Sequence, residues 1–306
     1  PAVTAALHFF CIGSHAPAIF TLPLLDPRPM RVPVAWGELA GLRLENPGRP
    51  AVLALHGWLE NAASFVPMLP WLSGLDLLLL DLPGHGHSSH LPPGAEYDQA
   101  VHLHAALDAA DALGWERFAV LGHSMGASVA ALLAVAVPQR VQRLALVETL
   151  GPLVEAPEHT ATRLRQAVAA VRALPGKSLR VFPELELAVR ARIQANGLDE
   201  AHARLLVERG TRAVAGGHVW RSDPRLTLPS HQRLCEPQVL DLLAAINCPL
   251  RVLYADPAQP YFPDPLRHQR LAAVPHAQLD VLRGGHHLHM EQAAVVGGML
   301  GPFLRD

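Results

Sequence analysis

The stretch FAVLGHSMGASVAALL, residues 118–133, is typical of a strand, a sharp turn and a helix. Four apolar residues lead into the pentapeptide GHSMG, residues 122–126, and an Ala/Val/Leu run of helical character follows. A serine on so sharp a strand-to-helix turn has a strained backbone, and its neighbours two residues away must lack a bulky Cβ. The first N–H groups of the helix would point toward developing negative charge. The pattern therefore predicts a nucleophile at Ser124.

Short apolar segments recur on both sides of this stretch and alternate with helical segments. Residues 51–55, 75–81 and 141–147 are such runs, which are typical of strands buried on both faces. Because helical segments connect them, they predict parallel βαβ units and an α/β fold with a doubly wound, mostly parallel sheet. Residues 32–36 and 39–45 are predicted to form an early hairpin.

The alternation stops between residues 151 and 245, where apolar residues recur at helical spacing without a strong strand pattern. The sequence therefore predicts an α/β core, residues 30–150 and 246–306, that carries an inserted helical cap, residues 151–245. Residues 1–29 are apolar, contain several prolines and follow neither period. We expect them to form a poorly ordered extension.

Composition and charge exclude several classes of protein. The formal net charge of −2, from 25 basic and 27 acidic residues, gives no electrostatic reason to bind nucleic acid or an anionic membrane. Cys11, Cys235 and Cys248 are too few and too scattered for a disulfide framework, which indicates a reduced, cytoplasmic setting. The longest apolar stretch, around residues 127–137, is shorter than the roughly 20 residues of a membrane span.

A serine nucleophile requires a histidine that removes its proton in the transition state. The segment LRGGHHLH, residues 282–289, follows the last predicted strand and contains three histidines. His286 directly follows the glycine pair and is best placed to reach the sheet edge, so we predict that it is the base. His287 and His289 are expected to pack against or cap the next helix.

The third member of such a triad is an acid that orients the imidazole and stabilises its charged form. Glu148 ends the strand after the nucleophile helix, and Asp256 follows the next core strand. Both fit the chain order Ser, acid, His. A buried carboxylate without a partner is costly, which favours Glu148, whereas Asp256 stands before a proline in a turn-forming pair. Asp256 remains the alternative.

Negative charge on a tetrahedral intermediate needs preset N–H donors. The residue after the nucleophile, Met125, is predicted to supply one through its backbone, and Trp58 the other at the end of the strand 51–55. Glu60 and Asn61 in the same loop are expected to be structural or rim residues.

Several histidines invite a metal interpretation. His85, His87 and His90 lie in one loop, and His286 and His289 in another. Neither set has the helical His-Glu-x-x-His form, and no cysteine or carboxylate accompanies them at ligand spacing. We therefore predict no metal site and no cofactor.

Four motifs in order resemble the α/β-hydrolase superfamily from about residue 30 to the C-terminus: HGW at 56–58, DLPGHGHS at 81–88, GHSMG at 122–126 and GH at 285–286. A closer resemblance, to the serine hydrolase-like group, comes from three longer segments. These are LHGWLENAASF at 55–65, WRSDPRL at 220–226 and GGHHLHME at 284–291.

The resemblance implies that residues 151–245 cover the site and that His123 and Trp220 line a substrate pocket, although WRSDPRL could instead anchor the cap. The chain departs from the superfamily at Ala258, where many members carry the acid of the triad. Some relatives place that acid after the preceding strand, where Glu148 stands. Dehalogenases and epoxide hydrolases share the fold but use an aspartate nucleophile, so Ser124 excludes their chemistry.

The expected function is hydrolysis of a small or medium carboxylic ester, a small-molecule substrate, through an acyl-enzyme. An acyltransferase with the same triad, or a non-catalytic binding protein that retains the fold, is the alternative. Fold alone does not identify a substrate, and the sequence gives no indication of acyl length or oligomeric state.

Overall fold

The computed structural model describes residues 26–174 and 180–306. The strands in chain order are β1 (Arg28–Val34), β2 (Gly37–Leu44), β3 (Ala51–Leu55), β4 (Asp76–Asp81), β5 (Phe118–His123), β6 (Val141–Val147), β7 (Thr211–Val214), β8 (Gly217–Trp220), β9 (Leu250–Asp256) and β10 (Gln278–Arg283). Eight of them form one sheet in the order β1-β2-β4-β3-β5-β6-β9-β10. From β4 to β10 every neighbouring pair is parallel, and β1 and β2 add an antiparallel hairpin at one edge. The predicted doubly wound, mostly parallel α/β fold is confirmed.

Helices cover both faces of this sheet. The α-helices in chain order are α1 (Gln99–Ala112), α2 (Met125–Ala136), α3 (Thr160–Ala173), α4 (Leu185–Asn196), α5 (Glu200–Gly210), α6 (Glu236–Ala244), α7 (Asp264–Ala272), α8 (Leu288–Glu291) and α9 (Ala293–Arg305). Helices α1, α2, α6 and α7 pack on one face, and α8, α9 and the 3-10 helix Ala62–Leu72 pack on the other.

The alternation of side chains along β3 shows why its sequence is apolar throughout. Leu53 and Leu55 face one core layer, whereas Val52 and Ala54 face the other, and all four are fully buried. A central parallel strand has no solvent-facing side, so every position has to be apolar. The same constraint accounts for the apolar runs in β4, β5 and β6.

The region between β6 and β9 corrects two details of the predicted cap. It contains a two-stranded antiparallel hairpin, β7–β8, in addition to helices. Its last helix, α6, packs Val239 and Leu243 into the main core. We therefore propose that the cap ends before α6 rather than at residue 245. Helical periodicity indicates that a helix has an apolar face but not which layer covers that face.

The first strand shifts the expected start of the core. Arg28 and Pro29 belong to β1 and pair with Arg43 and Leu42 of β2. The first strand thus begins two residues before the predicted boundary of the core, and residues 1–25 of the expected extension lie outside the described residues. In the described part of the chain, no helix combines the length and apolarity needed to cross a bilayer.

Buried ion pairs and hydrogen bonds fix the cap to the core. Arg209 of α5 donates to the fully buried Asp81 at the end of β4, with an Nη2–Oδ2 distance of 2.7 Å. Asp223 accepts a hydrogen bond from the Tyr97 hydroxyl at 2.8 Å and pairs with Arg225. The WRSDPRL segment therefore anchors the cap, one of the two roles considered for it.

The glycine after the predicted nucleophile permits a close backbone contact. A Cβ on Gly126 would lie 2.0 Å from the Leu55 carbonyl oxygen, whereas a Cβ on Gly298, in the exposed part of α9, would meet no atom within 4 Å. We predict that Gly126→Ala lowers the free energy of unfolding by about 1–3 kcal/mol through overpacking. Gly298→Ala should raise it by about 0.5–1 kcal/mol because alanine is the better helix former.

Urea unfolding of both variants measures these opposite changes in the free energy of unfolding. Equal stability of the Gly126→Ala and Gly298→Ala proteins would show that the contact between α2 and β3 is not tight.

Candidate active site

The backbone at Ser124 has the strain expected of a nucleophile turn. Its φ and ψ angles are 49° and −115°, a conformation that non-glycine residues rarely adopt. The amide of Ser124 donates to the Val147 carbonyl at 2.9 Å, and α2 begins at the next residue. A Cβ on Gly122 would lie 2.5 Å from the Cα of Ala127, so both flanking glycines are required by sterics.

The strand register brings the other candidate residues to the same edge of the sheet. In the parallel pairs, Leu55 of β3 lies beside Gly122 of β5, and Val147 of β6 lies beside both His123 of β5 and Leu253 of β9. The carboxyl ends of these strands therefore meet, which is where open α/β sheets place their sites.

His286 lies on the loop between β10 and α8, beside the Ser124 turn. Its carbonyl oxygen is 2.9 Å from Nε2 of His123, and the two rings have centroids 4.8 Å apart. Nδ1 of His286 is 3.1 Å from Oε2 of Glu148. Burial, together with the neighbouring His123 and His287, lowers the pKa of His286 despite the opposing effect of Glu148.

Glu148 is fully buried at the end of β6 and adopts a positive φ of 69°. Its Oε1 accepts the Ala255 amide at 2.5 Å and lies 3.5 Å from the Arg267 guanidinium, while Oε2 faces His286. Asp256 is exposed at the end of β9, and in the described part of the chain its carboxylate makes no hydrogen bond to His286. Of the two acids proposed from the sequence, the structure joins Glu148 to the histidine.

His286 contacts His123, the residue before Ser124, but it makes no bond to Ser124 among the described residues. Within residues 26–174 and 180–306, no hydrogen bond links the Ser124 hydroxyl to the His286 ring. The Tyr261 hydroxyl instead lies 3.3 Å from Nδ1 and 3.5 Å from Nε2 of His286. Catalytic hydrogen bonds are commonly long in unliganded sites, so the lack of a bond between Ser124 and His286 is compatible with a nucleophile–base pair.

Tyr261 was not identified from the sequence. It is half-exposed beside the imidazole, and burial of the rest of the ring raises its pKa to about 12. It stands in an irregular proline-containing loop after β9, a context with no pattern that marks a site residue.

The two backbone amides predicted to be oxyanion donors, those of Trp58 and Met125, have no acceptor within the described structure. Met125 is the first residue of α2, where the amide has no acceptor within the helix. In the described chain, the amide of Trp58 has no acceptor either. The indole of Trp58 is half-exposed and donates to the Leu226 carbonyl of the cap at 2.9 Å.

Glu60, which the sequence predicts to be a structural or rim residue, connects three segments of the site. It is buried, and its carboxylate accepts the Gly57 amide at 3.2 Å and the Ser64 hydroxyl at 2.6 Å. The same carboxylate is 3.0 Å from Nδ1 of His123 and 3.3 Å from Nε2 of His287. Glu60 therefore links the loop after β3 to the end of β5 and to the loop that carries His286.

The charges of Glu60 and His123 stabilise each other. Burial alone would raise the pKa of Glu60, but His123 and His287 hold it well below its usual range. Burial would lower the pKa of His123, yet Glu60 raises it. The lowered pKa of Glu60 and the raised pKa of His123 are the shifts expected of a buried ion pair between them.

This placement corrects the prediction that His123 lines a substrate pocket. Its ring is fully buried between Glu60 and the histidine loop, so it supports the site from below. His287 and His289 are buried and pack in the same network. Trp220 is partly buried in the cap, 5.3 Å from the ring of Phe182 between centroids.

One group in this network has the composition of a metal site. Glu60, His123 and His289 offer ligand atoms that all lie within 4.8 Å of one another. Glu60 and His123 are already bonded to each other, and Nε2 of His289 lies 2.6 Å from the Ser64 hydroxyl. These contacts hold the three side chains in a hydrogen-bond network, in which Nδ1 of His289 has no partner among the described residues, and any cation would have to displace them.

Comparison with known proteins places the chain in a family. A family profile described as "alpha/beta hydrolase fold" matches residues 50–190. The "Serine hydrolase-like protein" of Danio rerio is 30% identical over 289 residues, which cover 90% of this chain and 87% of that protein. The chain belongs to the α/β-hydrolase family. Its relatives and its fold support hydrolase activity in general.

Solved structures resemble this α/β hydrolase over most of its length. A hypothetical protein from Pseudomonas aeruginosa PAO1 is 39% identical with a TM-score of 0.85, covering 90% of this chain and 98% of that one. The thioesterase domain from the curacin biosynthetic pathway is 26% identical with a TM-score of 0.79, covering 90% and 98%.

Proposed function

We propose that this α/β hydrolase is a serine hydrolase that cleaves a small or medium carboxylic ester through an acyl-enzyme. The observation that carries the proposal is the strained Ser124 turn beside an imidazole whose Nδ1 faces the buried carboxylate of Glu148. Such a nucleophile, base and orienting acid define the triad by geometry and role.

In this mechanism the Ser124 hydroxyl attacks the ester carbonyl while Nε2 of His286 takes its proton. Glu148 accepts the hydrogen bond from Nδ1–H, which fixes the tautomer and stabilises the imidazolium. His286 then protonates the leaving alcohol as the C–O bond breaks and an acyl-serine forms. Water, deprotonated by the same imidazole, attacks the acyl-serine; the acyl C–Oγ bond breaks, the carboxylic acid leaves and the imidazolium returns its proton to Oγ of Ser124.

The tetrahedral oxyanion of each step would accept hydrogen bonds from the amides of Trp58 and Met125. Both are backbone donors of the kind that needs no reorganisation during the reaction, and α2 contributes its N-terminal dipole. The lowered pKa of His286 extends the pH range in which its ring is neutral, and therefore basic, toward lower pH.

One of the similar structures is named as a thioesterase domain. This similarity supports adding thioesters to the proposed substrate class. Acyl transfer from an oxygen ester and from a thioester passes through the same acyl-serine, so both belong in the first substrate panel.

Replacement of the nucleophile tests the function. Ser124→Ala should lower turnover of p-nitrophenyl esters by at least ~10³-fold, because no other group can form the acyl-enzyme. A spectrophotometric assay with acetate to octanoate esters, and a matched thioester series, measures the loss.

Ser128→Ala is the matched control, since Ser128 lies in the same helix and its hydroxyl donates to the Gly151 carbonyl away from the reaction. Its turnover should remain near that of the wild type. Equal rates for the Ser124→Ala and wild-type proteins would refute the proposed function.

Replacement of each candidate acid tests the triad. Glu148→Gln should reduce kcat by roughly 10²–10⁴-fold through loss of the tautomer. It should also move the acid limb of kcat/KM to lower pH, because Glu148 raises the pKa of His286. Asp256→Asn should change neither quantity. If Asp256→Asn is the more damaging change, Glu148 is not the orienting acid.

A further inference from the structure

The loop that supplies one oxyanion donor is fastened to the cap. We call Gly57–Asn61 the oxyanion loop. Three hydrogen bonds join it to three separate elements of the cap, and each uses a different loop residue. They are Trp58 Nε1 to the Leu226 carbonyl at 2.9 Å, Arg192 Nη2 to the Leu59 carbonyl at 2.7 Å, and Asn61 Nδ2 to the Leu206 carbonyl at 2.8 Å.

The centre of the oxyanion loop is a strained residue held from outside. Leu59 has a φ of 57°, an unusual conformation for a residue with a branched side chain. Its amide donates to Nε2 of His85 at 3.2 Å, and its carbonyl accepts from Arg192. Such conformations persist only where the surroundings enforce them, so both contacts help to hold the loop.

Arg192 is itself fixed by packing within the cap. It projects from α4 across the ring of Trp220, with its guanidinium carbon 5.2 Å from the ring centroid. Nη1 lies 3.2 Å from Oδ1 of Asn196. The guanidinium therefore reaches the Leu59 carbonyl with little remaining freedom, and its charge strengthens that bond.

We propose that Arg192 is a positioning residue through which the cap sets the geometry of the oxyanion hole. The inference rests on the proposed function, because Trp58 in the oxyanion loop is the donor that it positions. The amide of Trp58 precedes the Leu59 carbonyl by a few bonds, so release of that carbonyl turns the donor away from the substrate oxygen. The cap thereby contributes to the chemical step in addition to covering the substrate.

Arg192→Met tests this role because it removes the donor and keeps an unbranched side chain against Trp220. We expect kcat to fall by about 10- to 100-fold with KM changed less than about threefold, as for a displaced oxyanion donor. Inhibition by a trifluoromethyl ketone, which forms a tetrahedral adduct, should weaken by a similar factor. Hydrogen exchange in peptides that span the oxyanion loop should become faster.

Two further variants separate positioning from general stability. Arg192→Lys keeps a charged donor and should recover part of kcat. Arg204→Met removes an exposed arginine of the cap that pairs with Glu186 and Glu200 and makes no hydrogen bond to the oxyanion loop among the described residues. It should leave kcat, inhibition and loop exchange unchanged.

Wild-type kcat in Arg192→Met, or equal losses in Arg192→Met and Arg204→Met, would overturn the inference. Unchanged exchange of the oxyanion loop would do the same, whatever the activity. The proposed function itself is tested by a different variant: it fails if Ser124→Ala keeps wild-type turnover.

Discussion

The contact between the start of α2 and the end of β3 is the constraint on which the site depends. Gly126 approaches the Leu55 carbonyl so closely that no side chain fits between them. The oxyanion loop leaves β3 at this point, and Ser124 stands on the other side of the contact. The two proposed oxyanion donors, the amides of Trp58 and Met125, therefore share one edge of the sheet because two segments of backbone touch. The strain at Ser124 is stabilised by the same packing.

A buried charge network supports this arrangement from below. The Glu60 carboxylate joins the oxyanion loop to His123 at the end of β5 and to His287 on the loop that carries His286. A carboxylate in the protein interior is costly unless donors surround it, and here several converge on it. The cap contributes from above through Arg192. Segments far apart in the chain are thus brought to one place by polar contacts, on a scaffold fixed by apolar packing.

The sequence predicted those parts that depend on local pattern. Apolar runs revealed the central strands, and the glycine spacing revealed the turn at Ser124. The cost of an unpaired buried carboxylate favoured Glu148 over Asp256. Positions set by distant contacts could not be predicted. The place of His123 in the motif does not show which way its ring points, and the partners of Glu60 lie far from it in the sequence. The β7–β8 hairpin was not predicted, and neither was the layer on which α6 packs. Helical periodicity indicates that a helix has an apolar face but not which layer covers it.

Covalent trapping is the most direct measurement of whether the strained turn carries a working nucleophile. The wild-type protein, treated with a fluorophosphonate, should gain a single adduct by intact mass, and peptide mapping should place that adduct on Ser124. A protein in which His286 is replaced by alanine should label far more slowly, because the hydroxyl has lost its base. An adduct on another residue, or ester hydrolysis that survives complete labelling, would contradict the assignment of Ser124.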